Sequence, residues 1–380
     1  MSVGRSWRVC ARALLALATA TLSACAMLGP DKPTPKPLDP IITPQINARA
    51  VWSQKIPGVE FPMSVAVSPG VFTLASDNGT VLALEADTGR ELWRGDAGGR
   101  LAAGVGSDGR FAAVVTRDGE LVTLEAGRTV WRKPLGLRVA SAPLVAGERI
   151  FVLGVDRSVQ SFDAQDGSRL WLVRRPGDPL TLAQAGVIAA FKDTLLVGQG
   201  PRLGGLDPSN GNVRWEVTVG SPRGTNEIER LADLVAPAGR SGELVCVRSF
   251  QAGVGCVNAE SGTLAWAKTV GGATGVAANG EFVFGADASD RITAWKMPSG
   301  DVAWTSEKLL NHGLGAPLSV GKAVVFGDAE GIIHFLSQDK GEALVRLNTD
   351  GSAIAVTPVV SGTTMLVVTR KGGLFAFRPE

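Results

Sequence analysis

The chain has 380 residues, with 38 basic and 36 acidic side chains, 45% apolar residues, 48 glycines and no tyrosine. Near-balanced charge excludes the basic footprint of a nucleic-acid binder, and the apolar share suffices for a large core. The apolar run at residues 13–22 is shorter than the ~20 residues that a spanning helix needs, and no later stretch approaches that length, so no transmembrane helix is expected.

Residues 1–24 have the three parts of an export signal: Arg5, Arg8 and Arg12, then the apolar run, then small residues at the junction. The junction Leu22-Ser23-Ala24-Cys25 resembles the lipobox of bacterial lipoproteins. That resemblance implies a lipidated Cys25 as the new N-terminus and, with Ala26 rather than aspartate next to it, an outer-membrane anchor facing the periplasm. Loss of the leader removes three arginines and leaves 35 basic against 36 acidic residues. Residues 25–47 hold Pro30, Pro33, Pro35, Pro37, Pro40 and Pro44 and few large apolar groups. They read as an extended tether with a reach of up to ~60 Å at ~3.1 Å per residue.

From residue 48 to 380 one pattern repeats. Trp52, Trp93, Trp131, Trp171, Trp215, Trp266 and Trp304 recur at steps of 38 to 51 residues, and an eighth copy carries Val345 in the tryptophan slot. From the second copy on, glycine stands four residues earlier, at Gly89, Gly127, Gly167, Gly211, Gly262, Gly300 and Gly341. In the segment 81–93 an alternating strand runs into an acidic turn closed by Gly89, then into a strand ending at Trp93. Two further strands precede each such unit, so each repeat reads as four strands in ~40 residues. The expected fold is all-β: an eight-bladed β-propeller of four-stranded antiparallel blades, with tryptophans filling the seams between neighbours. The strand 373–380 has no tryptophan strand after it, and 51–56 has no blade before it. The N-terminal strand is therefore expected to complete the last blade and close the ring.

The repeat resembles the tryptophan-docking repeat of quinoprotein dehydrogenases and their non-enzymatic relatives, which by itself selects no function. Quinoprotein dehydrogenases carry an adjacent cysteine pair and a calcium site, and no Cys-Cys occurs here. The two histidines, His312 in a predicted loop and His334 in the strand 332–336, have no cysteine or carboxylate near them at metal-ligand spacing. His312 is read as a surface residue and His334 as a sheet residue. No catalytic residue, metal or cofactor is assigned. Cys246 and Cys256 flank one hairpin turn. A turn at Gln251-Ala252 pairs Cys256 with Val247 and sends the sulfurs to opposite faces, which favours two buried thiols. A one-residue bulge at Gly253 brings the sulfurs together as a disulfide.

The step from Trp215 to Trp266 is the longest, and its excess falls in residues 220–238. Asn226 followed by Glu229 has the spacing of a capping box, so a short helix is expected to start there. The whole chain resembles the BamB lipoprotein family of the outer-membrane β-barrel assembly machinery. The resemblance rests on the lipobox, the proline-rich tether, the eight repeats and the insert Gly224-Thr-Asn-Glu-Ile-Glu-Arg-Leu-Ala-Asp233. It implies a non-catalytic scaffold that binds the periplasmic POTRA domains of a BamA-like barrel protein and assists delivery of unfolded outer-membrane proteins. The contact surface it implies includes Leu180 and Leu182, with Ala183 in place of the family's arginine. It also includes Glu227, Glu229, Arg230 and Asp233, with Val235 in place of a second aspartate. Two leucines beside carboxylates form an apolar centre with a polar rim, the usual anatomy of a protein interface. Two alternatives remain open on the residues alone: a periplasmic quinoprotein-like enzyme, and a ligand sensor with its site in the central funnel.

Overall fold

A computed structural model describes residues 33–175 and 180–379. The export signal, Cys25 and Pro30 lie outside the described residues. In the unit Lys36–Glu380 the regular elements are strands, and they form eight four-stranded antiparallel sheets, the blades of a propeller. Blade 1 is Ala66–Ser68, Val71–Ala75, Thr80–Glu85 and Glu91–Asp96, paired in sequence order, and blades 2 to 7 repeat this order. Both faces of a blade are covered by neighbouring blades, so the middle strands read as apolar runs rather than alternating ones. Phe72, Leu74, Val81, Leu82 and Leu84 are fully buried in blade 1, and Phe111–Thr116 is buried along its whole length in blade 2. Outer strands face solvent at one edge and alternate accordingly, as in Glu91–Asp96.

The tryptophans join one blade to the next, as the spacing predicts. The indole Nε1 of Trp52, Trp131, Trp171, Trp266 and Trp304 donates to the carbonyl of Ala86, Ala164, Pro208, Met297 and Gln338 in the following blade, at 2.7 to 3.0 Å. Three residues after each of these carbonyls stands the repeat glycine, directly under the indole. A Cβ on Gly167 would lie 2.6 Å from the Trp131 ring, and one on Gly341 would lie 2.6 Å from Trp304. Each glycine therefore serves two purposes. It takes the positive φ of the hairpin, +70° at Gly167, and it leaves room for the tryptophan of the preceding blade.

The ring closes as expected. Ala48–Lys55 pairs with Gly373–Pro379 as the outer strand of blade 8, whose other strands are Thr364–Val368 and Val359–Ser361. Trp52 then occupies the last blade's tryptophan position and docks on blade 1 through Ala86 and Gly89.

Two expectations differ from the structure. The tether was expected to run free to residue 47, whereas the chain is fastened to the propeller from Lys36 on. The Lys36 amide donates to Leu310 O at 3.0 Å, the Gln45 amide donates to Leu344 O at 3.0 Å, and Arg346 donates to Asp39 O at 2.5 Å. Leu38 and Ile46 pack on the cores of blades 6 to 8. These scattered apolar residues find grooves that composition alone does not reveal. In the cysteine hairpin, Ser249 pairs with Gly253 around a three-residue loop with Gln251 at φ +51°. That extra loop residue shifts the register by one, sets Cys246 opposite Cys256, and the two form a disulfide.

Candidate functional site

The residues that the resemblance marks lie on two connectors, each running from the outer strand of one blade to the inner strand of the next. Leu180–Leu182 precedes Ile188–Phe191 of blade 4, and the insert at 220–233 precedes Leu234–Ser241 of blade 5. Connectors of this kind emerge on one face of a propeller, and here they are tied together. Asp233 accepts from the Leu182 amide at 3.2 Å through one carboxylate oxygen and from Arg157 of blade 3 at 3.3 Å through the other. Gly186 bridges to Val235, and the Ala236 amide donates to Ala185 O at 2.9 Å. Asp233 and Arg157 are only 16% and 15% exposed, so this carboxylate is a joint between three segments rather than an open contact group.

The insert forms one capped turn instead of the expected helix. Asn226 Oδ1 accepts from the Glu229 amide at 2.9 Å, and the Glu229 carboxylate accepts from the Thr225 amide at 2.8 Å. The Thr225 amide holds the Glu229 carboxyl below the usual carboxylate range. The cap is real, but only the Arg230 amide closes an i to i+4 bond, to Asn226 O. A single turn does not offset the entropy of helix nucleation. Residues 221–230 are all exposed.

The surface around the joint has Leu180 at 36% exposure and Ile228, at the tip of the insert, at 72%, with Glu227 and Arg230 exposed beside Ile228. Leu182 is half-buried. Ile228 was not among the sequence candidates, although an isoleucine between two glutamates in a polar insert is the signal that marks it. Val235, in place of an aspartate, is 1% exposed inside blade 5, where a free carboxylate would be costly. Ala183 is exposed and lies on the rim of the central cavity.

That cavity, of about 1080 Å³, is lined mainly by alanine, valine, proline and glycine, with Glu60, Arg240 and Arg370 as its charged residues. The histidine reading needs correction. His312 is not on the surface: it is 4% exposed, His334 is 1% exposed, and Asp328 lies between them, 2.8 Å from His334 Nε2 and 3.6 Å from His312 Nδ1. Asp328 and His334 stand six residues apart across one hairpin of blade 7, while His312 comes from the connector before that blade, 16 positions from Asp328, so local spacing does not display the set.

A family model described as outer membrane protein assembly factor BamB matches residues 77–306. The chain is 35% identical to the outer membrane protein assembly factor BamB of Burkholderia pseudomallei, over 98% of this chain and 99% of that one. It is 32% identical to that of Bordetella pertussis, over 99% and 98%. The crystal structure of BamB from Moraxella catarrhalis superposes with a TM-score of 0.80 at 21% identity, covering 87% of this chain and all of that one. A quinohemoprotein alcohol dehydrogenase from Comamonas testosteroni shares the fold at a TM-score of 0.66 and 16% identity, over 87% of this chain and 76% of that one. The sequence match over nearly the full length, and not the shared propeller alone, decides the assignment: the chain belongs to the outer membrane protein assembly factor BamB family.

Proposed function

We propose that this protein is a non-catalytic scaffold of the outer-membrane assembly machinery, held at the membrane by a lipid on Cys25. In this reading residues 1–24 are removed, the segment from Cys25 to about Pro35 spaces the propeller from the bilayer, and the propeller stands in the periplasm. Its docking face is the pair of joined connectors, and its partner is a BamA-like barrel protein, engaged through POTRA domains. Unfolded outer-membrane proteins are the clients that the complex handles.

The observation that carries this reading is the joint at Asp233. It fixes two neighbouring connectors so that exposed Leu180 and Ile228 stand on a braced surface, with Glu227 and Arg230 as charged rim. Braced apolar groups lose little entropy on binding, which favours a protein partner over solvent exposure. Glu229 and Asp233 shape this surface and Leu182 supports it. A photoreactive amino acid at position 228 is expected to crosslink the barrel protein's periplasmic domains in cells, whereas one at exposed Val302 of blade 6 is not. Crosslinking from Val302 but not from position 228 would move the docking face elsewhere on the ring. For the anchor, Cys25→Ser is expected to release the protein from the membrane fraction.

A further inference from the structure

The buried trio at blade 7 has an internal inconsistency as a set of hydrogen bonds. His312 Nε2 lies 2.8 Å from Lys36 O, and because a carbonyl only accepts, that nitrogen carries the proton. The lone-pair side of the neutral ring, Nδ1, then faces the Asp328 carboxylate at 3.6 Å. Nδ1 is buried and, like Nδ1 of His334, has no hydrogen-bond partner among the described residues. A lone pair directed at a carboxylate oxygen inside a protein calls for a cation between them, either a proton on Nδ1 or a metal ion, and 3.6 Å is long for the N–H···O bond that a proton would make. His334 brings a second imidazole to the same oxygen, Asp328 Oδ2, at 2.8 Å.

The surroundings resemble a metal's outer sphere. Metal-bound imidazoles typically donate their other N–H to a carbonyl or carboxylate, as His312 does to Lys36. Asp328 Oδ1 is occupied by the amides of Glu330 at 2.9 Å and Ile332 at 2.8 Å, which aims Oδ2 alone into the trio. The candidate ligand atoms all lie within 4.8 Å of one another. The separations of 2.8 and 3.6 Å bracket the ~3.3 Å between ligands of a tetrahedral zinc with bonds of ~2.0 to 2.1 Å.

We propose that His312, Asp328 and His334 bind one divalent ion of the zinc class. Two imidazoles and one carboxylate suit a borderline ion rather than magnesium or calcium, which prefer oxygen alone. The site sits beneath the docked N-terminal segment: the ring that binds the metal also holds Lys36, and Leu38 packs on the adjoining core. Metal occupancy therefore stabilises the attachment of this segment and shortens the free tether.

The test uses the full chain, extracted in detergent, freed of any affinity tag and stripped with a chelator. Titration with zinc against a competing chromophoric chelator is expected to show one equivalent bound. His312→Gln and Asp328→Asn are each expected to weaken binding by more than the ~10–100-fold that loss of an outer-sphere partner costs. X-ray absorption at the zinc edge of the loaded wild type is expected to show two imidazoles, and the sequence holds only two histidines, so that signature identifies the site even if a variant fails to fold. Zinc is further expected to slow proteolysis within residues 33–47. Absence of stoichiometric binding, or a spectrum without imidazole ligands, would overturn the proposal.

Discussion

At the scale of single residues the fold rests on a repeated pair, an indole from one blade over a glycine of the next. Trp131→Ala is expected to lower unfolding free energy by about 3 to 5 kcal/mol, as for other large core truncations. Gly167→Ala adds a methyl where the ring of Trp131 already lies, at a φ that alanine disfavours, and should cost more than 1 kcal/mol. The two substitutions act on one contact, so denaturant melts of the double variant should show less than the sum of their effects. The tryptophan series is plain in the sequence. That each glycine serves the tryptophan of the preceding blade is not, because local spacing ties it to the tryptophan four residues later. The candidate site is legible in part for a similar reason. Asp233 is readable as a candidate, but its partners Arg157 and the Leu182 amide lie 76 and 51 positions away. Asp233→Ala removes the carboxylate that ties the Leu182 amide and the largely buried Arg157 to the insert, and should cost about 1 to 3 kcal/mol. Glu227→Ala, on an exposed tip, should stay within about 0.5 kcal/mol of wild type.

At the scale of elements, the insert and the cysteine hairpin show how one residue decides an outcome. In the hairpin, a three-residue loop in place of two turns an opposed pair of thiols into a cross-strand disulfide. The bridge closes a short loop, so the Cys246→Val, Cys256→Val double variant should lose about 2 to 3 kcal/mol under oxidising conditions and become insensitive to reductant. In the insert, the cap holds a turn whose stability depends on an ionised Glu229. Its folded carboxyl titrates below its ordinary range, so its contribution is present above that range and is lost as the pH falls through the lowered value. The protection factor of the Thr225 amide, taken relative to the intrinsic exchange rate at each pH, should fall as the pH drops through the lowered Glu229 value, and should do so less in Glu229→Gln. The N-terminal strand was legible from the ends of the repeat array. The docking of residues 36–46 was not, since Pro37, Pro40 and Pro44 read the same whether extended in solvent or along a groove.

At the scale of the whole molecule, the propeller is a shared architecture, and the quinohemoprotein dehydrogenase that superposes on it shows that the ring does not choose a function. What distinguishes this chain is where the array departs from regularity. Its longest connector is bound to its neighbour and bears the exposed Ile228, while the central cavity is walled by small apolar side chains. A surface of this kind suits a rigid adaptor in a membrane complex, with the closed ring supplying rigidity and the proposed lipid on Cys25 supplying position. The most direct measurement is co-purification of the membrane-extracted protein with its partners, beside a Leu180→Asp, Ile228→Asp variant whose melting curve matches wild type. Recovery of a BamA-like barrel protein with wild type and at least a ~10-fold loss with the variant is the expected result. No barrel protein recovered with wild type would contradict the scaffold role, and equal recovery with both would contradict the docking face.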